Sequence, residues 1–340
     1  MKKVQLKTPY LLFMGDVPDD HHAKTGHGIA YWSPEKCVGQ MRLAGCPVDA
    51  GLPELDVDAA VAAGVGTAII GVASTGGVLA ESWIPSLAAL ARAGIDIAGG
   101  THEKLRDNEE LKAAALQGGA ELIDVRVPPQ GIKVGSGVKR SGKRVLMIGT
   151  DCAVGKKYSA LALHRELVQR GVNADFRATG QTGIMIAGEG MPIDAVVADF
   201  VSGAAELLSP NNDDDHWDVI EGQGSLLHPG YAAVSLGLLH GSQPDAIIVC
   251  QQAGVEFLDG LEVAVEIPPL SEVAETALRL VQITNPKCIW AGISVNTSLL
   301  PEEERRGYLA DMAGKYGLPC ADPVATGMAD IADYLLENIK

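Results

Sequence analysis

The sequence predicts an α/β fold in which parallel sheets are flanked by helices. Apolar runs of strand length alternate with helical patterns along most of the chain. Hydrophobic residues make up 47% of the 340 residues and aromatic residues only 4%, with 40 glycines, which is typical of an Ala/Val/Gly-rich enzyme with many tight turns. One apolar run, at 145–148, leads through a glycine-containing loop directly into a helical pattern.

The first part of the chain supplies the elements of one sheet. Residues 67–73 and 95–98 have the pattern of buried strands, and residues 82–93 and 108–117 have helical patterns. Because strands and helices alternate, we expect a parallel sheet with helices on both faces. The first domain is therefore predicted to span residues 1–130.

A short connector is predicted at 131–143. This stretch is rich in glycine, serine and basic residues and lacks an apolar period, which is typical of a linker between domains. The second domain then spans 144–340.

The second domain repeats the alternation and is predicted to be doubly wound. Its strands are predicted at 144–148, 174–178, 217–220, 246–250 and 289–295, and its helices at 156–170, 232–239, 271–281, 302–315 and 329–338. Ligands bind at the carboxyl ends of the strands in such sheets, so the residues that follow each strand are candidate site residues.

The loop after the first of these strands predicts a phosphate-binding site. Successive backbone N–H groups, a helix N-terminus and a lysine ammonium would all point at one anion. The alternative is an ordinary glycine turn with two surface lysines. The candidate cofactor-binding residues are Gly149, Thr150, Asp151, Cys152, Ala153, Val154, Gly155, Lys156, Lys157, Tyr158 and Ser159.

Lys157 departs from the usual phosphate-binding loop. Ser or Thr normally follows the loop lysine and holds a magnesium ion, whereas here the next hydroxyls belong to Tyr158 and Ser159. A second lysine puts cationic charge where the metal would lie. The loop therefore suits a ligand whose phosphates serve only as a handle, such as coenzyme A.

Further candidates follow the strand predicted at 174–178. Gln181 and Thr182 lie just beyond it and are predicted to contact the substrate. Arg177 lies at its end and is a candidate clamp for a substrate carboxylate, because a guanidinium can bind a carboxylate through two hydrogen bonds. The alternative for Arg177 is an ordinary salt bridge.

The first domain offers substrate-binding candidates of the same kind. Ser74 and Thr75 follow the strand predicted at 67–73 and precede a helix, so they are predicted to hold an anionic group. His102 follows the strand predicted at 95–98 and is a further candidate. The spacing of the glycines does not match a dinucleotide-binding fingerprint.

The overall charge and hydropathy exclude several classes of partner. A formal net charge of −16 argues against nucleic acid, which is bound through excess Lys and Arg. No segment has the apolar length of a membrane span, and Met1-Lys2-Lys3 is followed by too short an apolar run for a signal peptide. The six cysteines are scattered, as in a reduced protein. We expect a cytoplasmic protein and, since such enzymes are commonly symmetric, a homo-oligomer.

No metal site is expected. A group of histidines and aspartates near the N-terminus has a spacing that matches no metal motif, and a polar loop is the favoured interpretation. The group comprises Asp16, Asp19, Asp20, His21, His22 and His27.

The motifs together resemble a known family. GTDCAVGK at 149–156, QTG at 181–183 and an acidic-glycine turn at 221–224 resemble the dethiobiotin-synthetase branch of P-loop proteins. More specifically, GTDCAVGK and EGQGSLLHPGY, at 221–231, resemble a bacterial two-domain family long catalogued as a domain of unknown function, over nearly the whole chain. The resemblance implies an N-terminal Rossmann-like domain joined to a P-loop NTPase-like domain.

Characterised members of that family are D-glutamate N-acetyltransferases that use acetyl-CoA. The resemblance therefore implies an acyltransferase whose P-loop holds the phosphates of coenzyme A, with D-glutamate as the acceptor. Lys157-Tyr158-Ser159 departs from the hydroxyl-rich stretch of the relatives. This departure weakens an ATPase function more than it weakens coenzyme A binding.

Acetyl transfer from a thioester to an amine needs a general base, because the amine is mostly protonated at neutral pH. Glu221 is the first candidate, since partial burial at the end of an apolar strand would raise its pKa. His228 is the second. The alternatives are that Glu221 caps the glycine turn or touches a ligand hydroxyl, and that His228 is a loop histidine bonded to backbone.

Two other functions remain open at this point. The first is an ATP- and magnesium-dependent ligase or kinase of dethiobiotin-synthetase type, with Lys156 and Asp151 at the nucleotide and Ser159 in place of the missing hydroxyl. The second is a sensor of nucleotide or coenzyme A without catalysis. Turnover that requires ATP and magnesium would indicate the ligase.

Overall fold

The structure is a computed structural model that describes residues 4–20, 22–72 and 77–340. Contacts within the chain divide it into two compact units. The first unit comprises Met1–Gln130 together with Gly180–Ala195, and the second comprises Gly131–Thr179 together with Val196–Lys340. The segment Gly180–Ala195 thus groups with the first unit, although contiguous domains of 1–130 and 144–340 would place it in the second.

The described residues form the following elements. The strands are β1 (Val4–Gln5), β2 (Tyr10–Gly15), β3 (Cys37–Arg42), β4 (Thr67–Ile70), β5 (Asp96–Gly99), β6 (Leu122–Asp124), β7 (Lys143–Gly149), β8 (Ala174–Arg177), β9 (Glu189–Gly190), β10 (Trp217–Ile220), β11 (Ala246–Gln252), β12 (Ile289–Asn296) and β13 (Cys320–Ala321). The helices are α1 (Lys24–Trp32), α2 (Val57–Ala62), α3 (Ile84–Arg92), α4 (Glu109–Gly118), α5 (Lys156–Gln169), α6 (Gln181–Ala187), α7 (Val201–Leu208), α8 (Ala232–Ser242), α9 (Leu270–Val281), α10 (Glu302–Tyr316) and α11 (Ala329–Asn338).

The first unit is built on a parallel sheet with the strand order β3-β2-β4-β5-β6. All six residues of β2 are buried. This continuous apolar strand is what a parallel sheet requires, because its inner strands are covered on both faces. Strands β4 and β5 and helices α3 and α4 lie where the sequence predicts them.

The segment Gly180–Ala195 is fastened to the first unit by pairing and packing. Strand β9 pairs with β1 in antiparallel orientation. The Ser33 hydroxyl donates a hydrogen bond to the Ile186 carbonyl (2.8 Å), and Lys36 Nζ donates to the Ala187 carbonyl (2.8 Å). The side chains of Ile184, Met185 and Ile186 are buried. The apolar face of α6 therefore contributes to the core of the first unit.

The second unit contains a six-stranded parallel sheet with the order β13-β12-β11-β7-β10-β8. The chain runs from β7 to one side of the sheet and then returns to build the other side from β11. A reversal of strand order of this kind opens a crevice at the carboxyl ends of the strands, where ligands bind. The predicted α/β fold class, with parallel sheets in both parts of the chain, is confirmed.

The predicted connector is docked on the second unit. Arg140 Nε donates to the Ser209 carbonyl (2.6 Å), and its Nη2 donates to the Gly241 carbonyl (2.6 Å). Glu206 accepts hydrogen bonds from the N–H groups of Ser136 and Gly137. The basic and small residues that suggest a free linker are therefore used to hold this stretch in place. Within the described residues, each helix is too short or too polar to cross a membrane.

Candidate active site

The loop between β7 and α5 forms a tight cradle. Gly155 caps the start of α5 in the left-handed backbone region (φ +102°), which glycine adopts without strain. A Cβ atom on Gly149 would lie 2.8 Å from Lys156 Nζ and 2.8 Å from the Asp151 carbonyl oxygen. Only glycine at 149 leaves room for the loop to close around the lysine.

Lys156 is a buried cation at the centre of this cradle. Its side chain is 6% exposed, and its Nζ donates a hydrogen bond to the Asp151 carbonyl (2.7 Å). Burial lowers the pKa of the Lys156 ammonium, and the negative charges of neighbouring groups, Asp151 and Glu221 among them, oppose that effect. A buried ammonium beside a helix N-terminus is suited to bind phosphate oxygens.

Asp151 ties the cradle to the loop that follows β11. One oxygen of its carboxylate accepts the Cys152 N–H (2.6 Å), and the other accepts the Asp259 N–H (2.8 Å). The carboxylate is buried, so these two hydrogen bonds satisfy a charge that would otherwise be costly to bury. Asp259 belongs to none of the sequence motifs described above, and only the fold shows that it contacts Asp151.

His228 is held by backbone groups on both sides of its ring. The Gly230 N–H donates to Nδ1 (3.0 Å), so the ring proton lies on Nε2, which donates to the Asp259 carbonyl (2.9 Å). The side chain is 1% exposed, and Nε2 lies 3.8 Å from the Asp151 carboxylate. This geometry fits the loop-histidine interpretation better than the role of general base.

Glu221 follows β10, the strand adjacent to β7, and its side chain is buried. One carboxylate oxygen accepts the Thr179 N–H (2.8 Å), and the Thr179 hydroxyl donates to the Glu221 carbonyl (2.9 Å). A Cβ atom on the next residue, Gly222, would lie 1.7 Å from the Met147 carbonyl oxygen. Glycine at 222 therefore allows the end of β10 to approach β7 and brings Glu221 toward Lys156.

The hydroxyl of Ser159 forms hydrogen bonds with buried groups of the protein. It donates to the Gly155 carbonyl (3.1 Å) and shares a hydrogen bond with the Ser294 hydroxyl (2.7 Å), and the side chain is buried. Lys157 Nζ lies 4.6 Å from the centre of the Tyr158 ring. The first two turns of α5 therefore present a cation where a magnesium-binding hydroxyl is usual, and Ser159 does not replace that hydroxyl.

Arg177 forms ion pairs within the sheet. Its Nε donates to Asp218 (2.7 Å), and its Nη2 lies 2.8 Å from Asp175. Asp218 is fully buried and also accepts the Ser209 hydroxyl, which in turn accepts Arg144 Nε (2.7 Å). These contacts fit the salt-bridge interpretation of Arg177 better than the carboxylate clamp.

Other predicted substrate residues belong to the first unit. With its amide oriented to suit its neighbours, Gln181 donates to the Gly100 carbonyl and accepts from Arg126 Nη1. The Thr182 methyl group lies 4.0 Å from the Cβ position of Gly28 on α1. His102 is exposed. Ser74 and Thr75 lie outside the described residues.

The N-terminal histidines pair with aspartates. His22 Nδ1 lies 2.7 Å from Asp19, and His27 Nε2 lies 3.1 Å from Asp20. Asp16 accepts hydrogen bonds from the Ser82 hydroxyl and the Trp83 indole, while His21 lies outside the described residues. The second unit alone brings together the phosphate loop, Glu221 and His228.

Two family models match successive parts of this chain. Residues 41–128 match the model described as "Domain of unknown function (DUF1611_N) Rossmann-like domain", and residues 133–332 match "Domain of unknown function (DUF1611_C) P-loop domain". A DUF1611 family protein from Anabaena variabilis has a similar crystal structure, with a TM-score of 0.81 and 31% identity, covering 98% of this chain and 100% of that one.

Two curated proteins are similar in sequence over nearly their whole length. A D-glutamate N-acetyltransferase of Tritonibacter scottomollicae is 48% identical over 330 residues, covering 97% of this chain and 99% of the relative. A D-glutamate N-acetyltransferase of a Pseudoalteromonas species is 42% identical over 332 residues, covering 98% of this chain and 100% of the relative.

Proposed function

The chain belongs to the DUF1611 family, in which a Rossmann-like domain precedes a P-loop domain, and we propose that it is an N-acetyltransferase that moves an acetyl group from acetyl-CoA to the amino group of D-glutamate. The observation that carries the proposal is the identity of 48% and 42% to two D-glutamate N-acetyltransferases over almost the entire chain. It gives both the reaction and the acceptor.

The phosphate loop supports coenzyme A as the carrier of the acetyl group. Gly155 and Lys156 provide the helix N-terminus and the buried cation that bind phosphate oxygens. The usual magnesium ligand is missing from this part of the loop, because Lys157 takes its position and the Ser159 hydroxyl is hydrogen-bonded to Gly155 and Ser294. Coenzyme A needs its phosphates held but not cleaved, so such a loop suits it.

The chemistry at the acceptor requires loss of a proton. The ammonium of D-glutamate gives a proton to a base, and the nitrogen then attacks the thioester carbonyl carbon. The new C–N bond forms as the C–S bond breaks. The nitrogen loses a second proton, and the coenzyme A thiolate leaves and takes up one proton, so the step is balanced. We propose Glu221 as the base; the pantetheine arm must fold back toward the loop for this carboxylate to reach the amine.

One feature of the site favours a second function. Glu221 directly follows β10, the strand next to β7, and P-loop nucleotide hydrolases place the acid that helps hold magnesium near such a position. A ligase or kinase that uses ATP and magnesium would use this position. We rank it second because Ser159 and Lys157 do not supply the other magnesium ligand.

The decisive experiment is thiol release from acetyl-CoA with D-glutamate, L-glutamate or no amino acid, in the presence of EDTA and without ATP. Release that depends on D-glutamate is the expected result. Turnover that appears only after ATP and magnesium are supplied would contradict the proposal and support the ligase.

We further propose a cytoplasmic homo-oligomer with small-molecule substrates. Light scattering would test the oligomeric state, and cell fractionation would test the location.

A further inference from the structure

A second ligand pocket adjoins the start of α5. A cavity of about 240 Å³ lies at the carboxyl ends of β12 and β13, with Tyr158, Asn296, Arg305 and Pro323 in its wall. Gly155 also lines it, and a Cβ atom on Gly155 would lie 3.8 Å from Asn296 Cβ. The cavity is therefore continuous with the phosphate loop. Pockets for a whole ligand are roughly 300–1,000 Å³, so this cavity has the size for one part of a larger ligand.

The acidic group in the wall of this cavity, Asp322, is stabilised in its charged form by hydrogen bonds from the protein. The Asp322 carboxylate accepts hydrogen bonds from the N–H and hydroxyl groups of Thr297 (2.8 and 2.6 Å) and from the N–H groups of Val324 and Ala325. Burial acts to raise the pKa of Asp322, but these hydrogen bonds outweigh it and lower the pKa. Asp322 thus stays ionised to hold the turn and does not pair with Arg305.

Arg305 supplies a cation to the wall of this cavity. Its side chain is half-buried on α10, and its Nε donates to the Leu300 carbonyl (3.1 Å). In the part of the chain that the structure describes, no carboxylate lies within ion-pair distance of its guanidinium. A half-buried guanidinium that lines a cavity and has no acidic partner is suited to bind an anionic ligand group.

Coenzyme A carries an anionic group that the phosphate loop does not account for. The loop binds the pyrophosphate under the proposed function, and the remaining phosphate is attached to the ribose beside the adenine. We propose that the cavity receives the adenosine end of coenzyme A and that Arg305 binds its 3′-phosphate, so that Arg305 selects 3′-phosphorylated donors. Tyr158 and Pro323 provide flat apolar walls for the base. This inference rests on the proposed function.

Isothermal titration calorimetry with coenzyme A and 3′-dephospho-coenzyme A tests the proposal in the full-length protein. We expect the wild type to bind coenzyme A at least about tenfold more tightly, as for a charge-assisted hydrogen bond to phosphate. Arg305→Gln should remove that preference by weakening coenzyme A alone, and Arg305→Lys should retain part of it. Arg306→Gln, on the exposed face of the same helix, is the matched control and should keep the wild-type preference.

The outcomes separate this inference from the function on which it rests. Binding of both compounds with equal affinity by the wild type would overturn the role of Arg305 and leave acetyl transfer intact. Equal weakening of both compounds by Arg305→Gln would also overturn it, since the arginine would then act through the fold. If neither compound binds, the proposed function and this inference fail together. Circular dichroism of each variant verifies that α10 is retained.

Discussion

Lys156 shows how one residue prepares the site for an anion. The fold places its ammonium in the interior and gives it one neutral partner, the Asp151 carbonyl. Burial lowers the pKa of Lys156 in the ligand-free protein, which means that the charged form of the side chain is destabilised there. A bound phosphate stabilises the charged form of Lys156. We therefore expect binding of the ligand to be coupled to protonation of this lysine.

This coupling predicts a pH-dependent affinity. Phosphate stabilises the charged lysine and so raises the pKa of Lys156 from its lowered value, which means that coenzyme A binding takes up protons and weakens as pH rises through that value. Calorimetry in buffers of different ionisation enthalpy measures the uptake. Lys156→Met should bind weakly and without this uptake. Equal pH profiles for the wild type and Lys156→Met would contradict the coupling.

Kinetic measurements on variants distinguish the role of Glu221 from that of His228. Glu221→Gln should lower kcat about 100-fold or more and leave the Kd for coenzyme A nearly unchanged, because the amide keeps the size of the side chain but cannot accept a proton. His228→Gln should act mainly on stability, since both ring nitrogens bond to backbone. A loss of coenzyme A binding in Glu221→Gln would instead assign Glu221 to the support of Lys156.

The sequence predicted the residues of the phosphate loop because their chemistry is local. A strand, glycines and a lysine at fixed spacing already define the cradle. The partners of Arg177 could not be predicted in the same way, because Asp218 lies 41 residues away and becomes its neighbour only through the pairing of β8 with β10. The contacts of Asp259 with Asp151 and His228 likewise depend on three loops that meet only in the fold.

At the scale of elements, a polar network crosses three strands of the second sheet. Arg144 on β7 and Asp175 on β8 are both register partners of Asp218 on β10. Arg144 and Asp218 are fully buried and are linked through Ser209. Parallel strands are otherwise apolar on both faces, so these charges must satisfy one another.

Removal of one member of this network should be costly. Asp218→Ala removes the buried carboxylate of the network. Arg177 then keeps only its ion pair with the half-exposed Asp175, and the Ser209 hydroxyl that binds Arg144 loses its acceptor, so we expect the free energy of unfolding to fall by about 3 kcal/mol. Urea denaturation measures the loss. Asp175→Ala is the matched control, since that carboxylate is 53% exposed and its loss should cost less than about 1 kcal/mol. Similar losses for both variants would show that the network is not the source of stability.

The prediction of elements was most successful in the second unit. Strand β10 and helix α11 have the predicted bounds, and β11 runs two residues longer. Strand β2 is not among the predicted strands, although its apolar run of six residues has the length of a strand. Helix α6 is not among the predicted helices either, because short helices owe their stability to packing rather than to local propensity.

At the scale of the whole molecule, the chain passes between the two units three times, after residues 130, 179 and 195. A fragment that spans 131–340 would therefore carry α6 away from the residues that cover it. We expect this fragment to expose Ile184, Met185 and Ile186 and to bind the dye ANS strongly, whereas the full-length protein does not.

The matched control replaces residues 180–195 of the same fragment with a flexible Gly/Ser linker. Its ANS fluorescence should fall back toward that of the full-length protein, because the exposed apolar side chains are gone. Equal fluorescence from the two fragments would place the exposed surface elsewhere in the second unit.

The position of Gly180–Ala195 also has a consequence for biosynthesis. A ribosome releases residues 1–130 first, but the sheet partner of β1 and the helix that packs on α1 are still to be translated. The N-terminal unit can reach its final form only after residue 195 has left the exit tunnel, by which time the phosphate loop and the first two strands of the other sheet have emerged as well. The two units are therefore expected to mature in an interleaved order, and a nascent chain arrested shortly after residue 130 would be a substrate for chaperones.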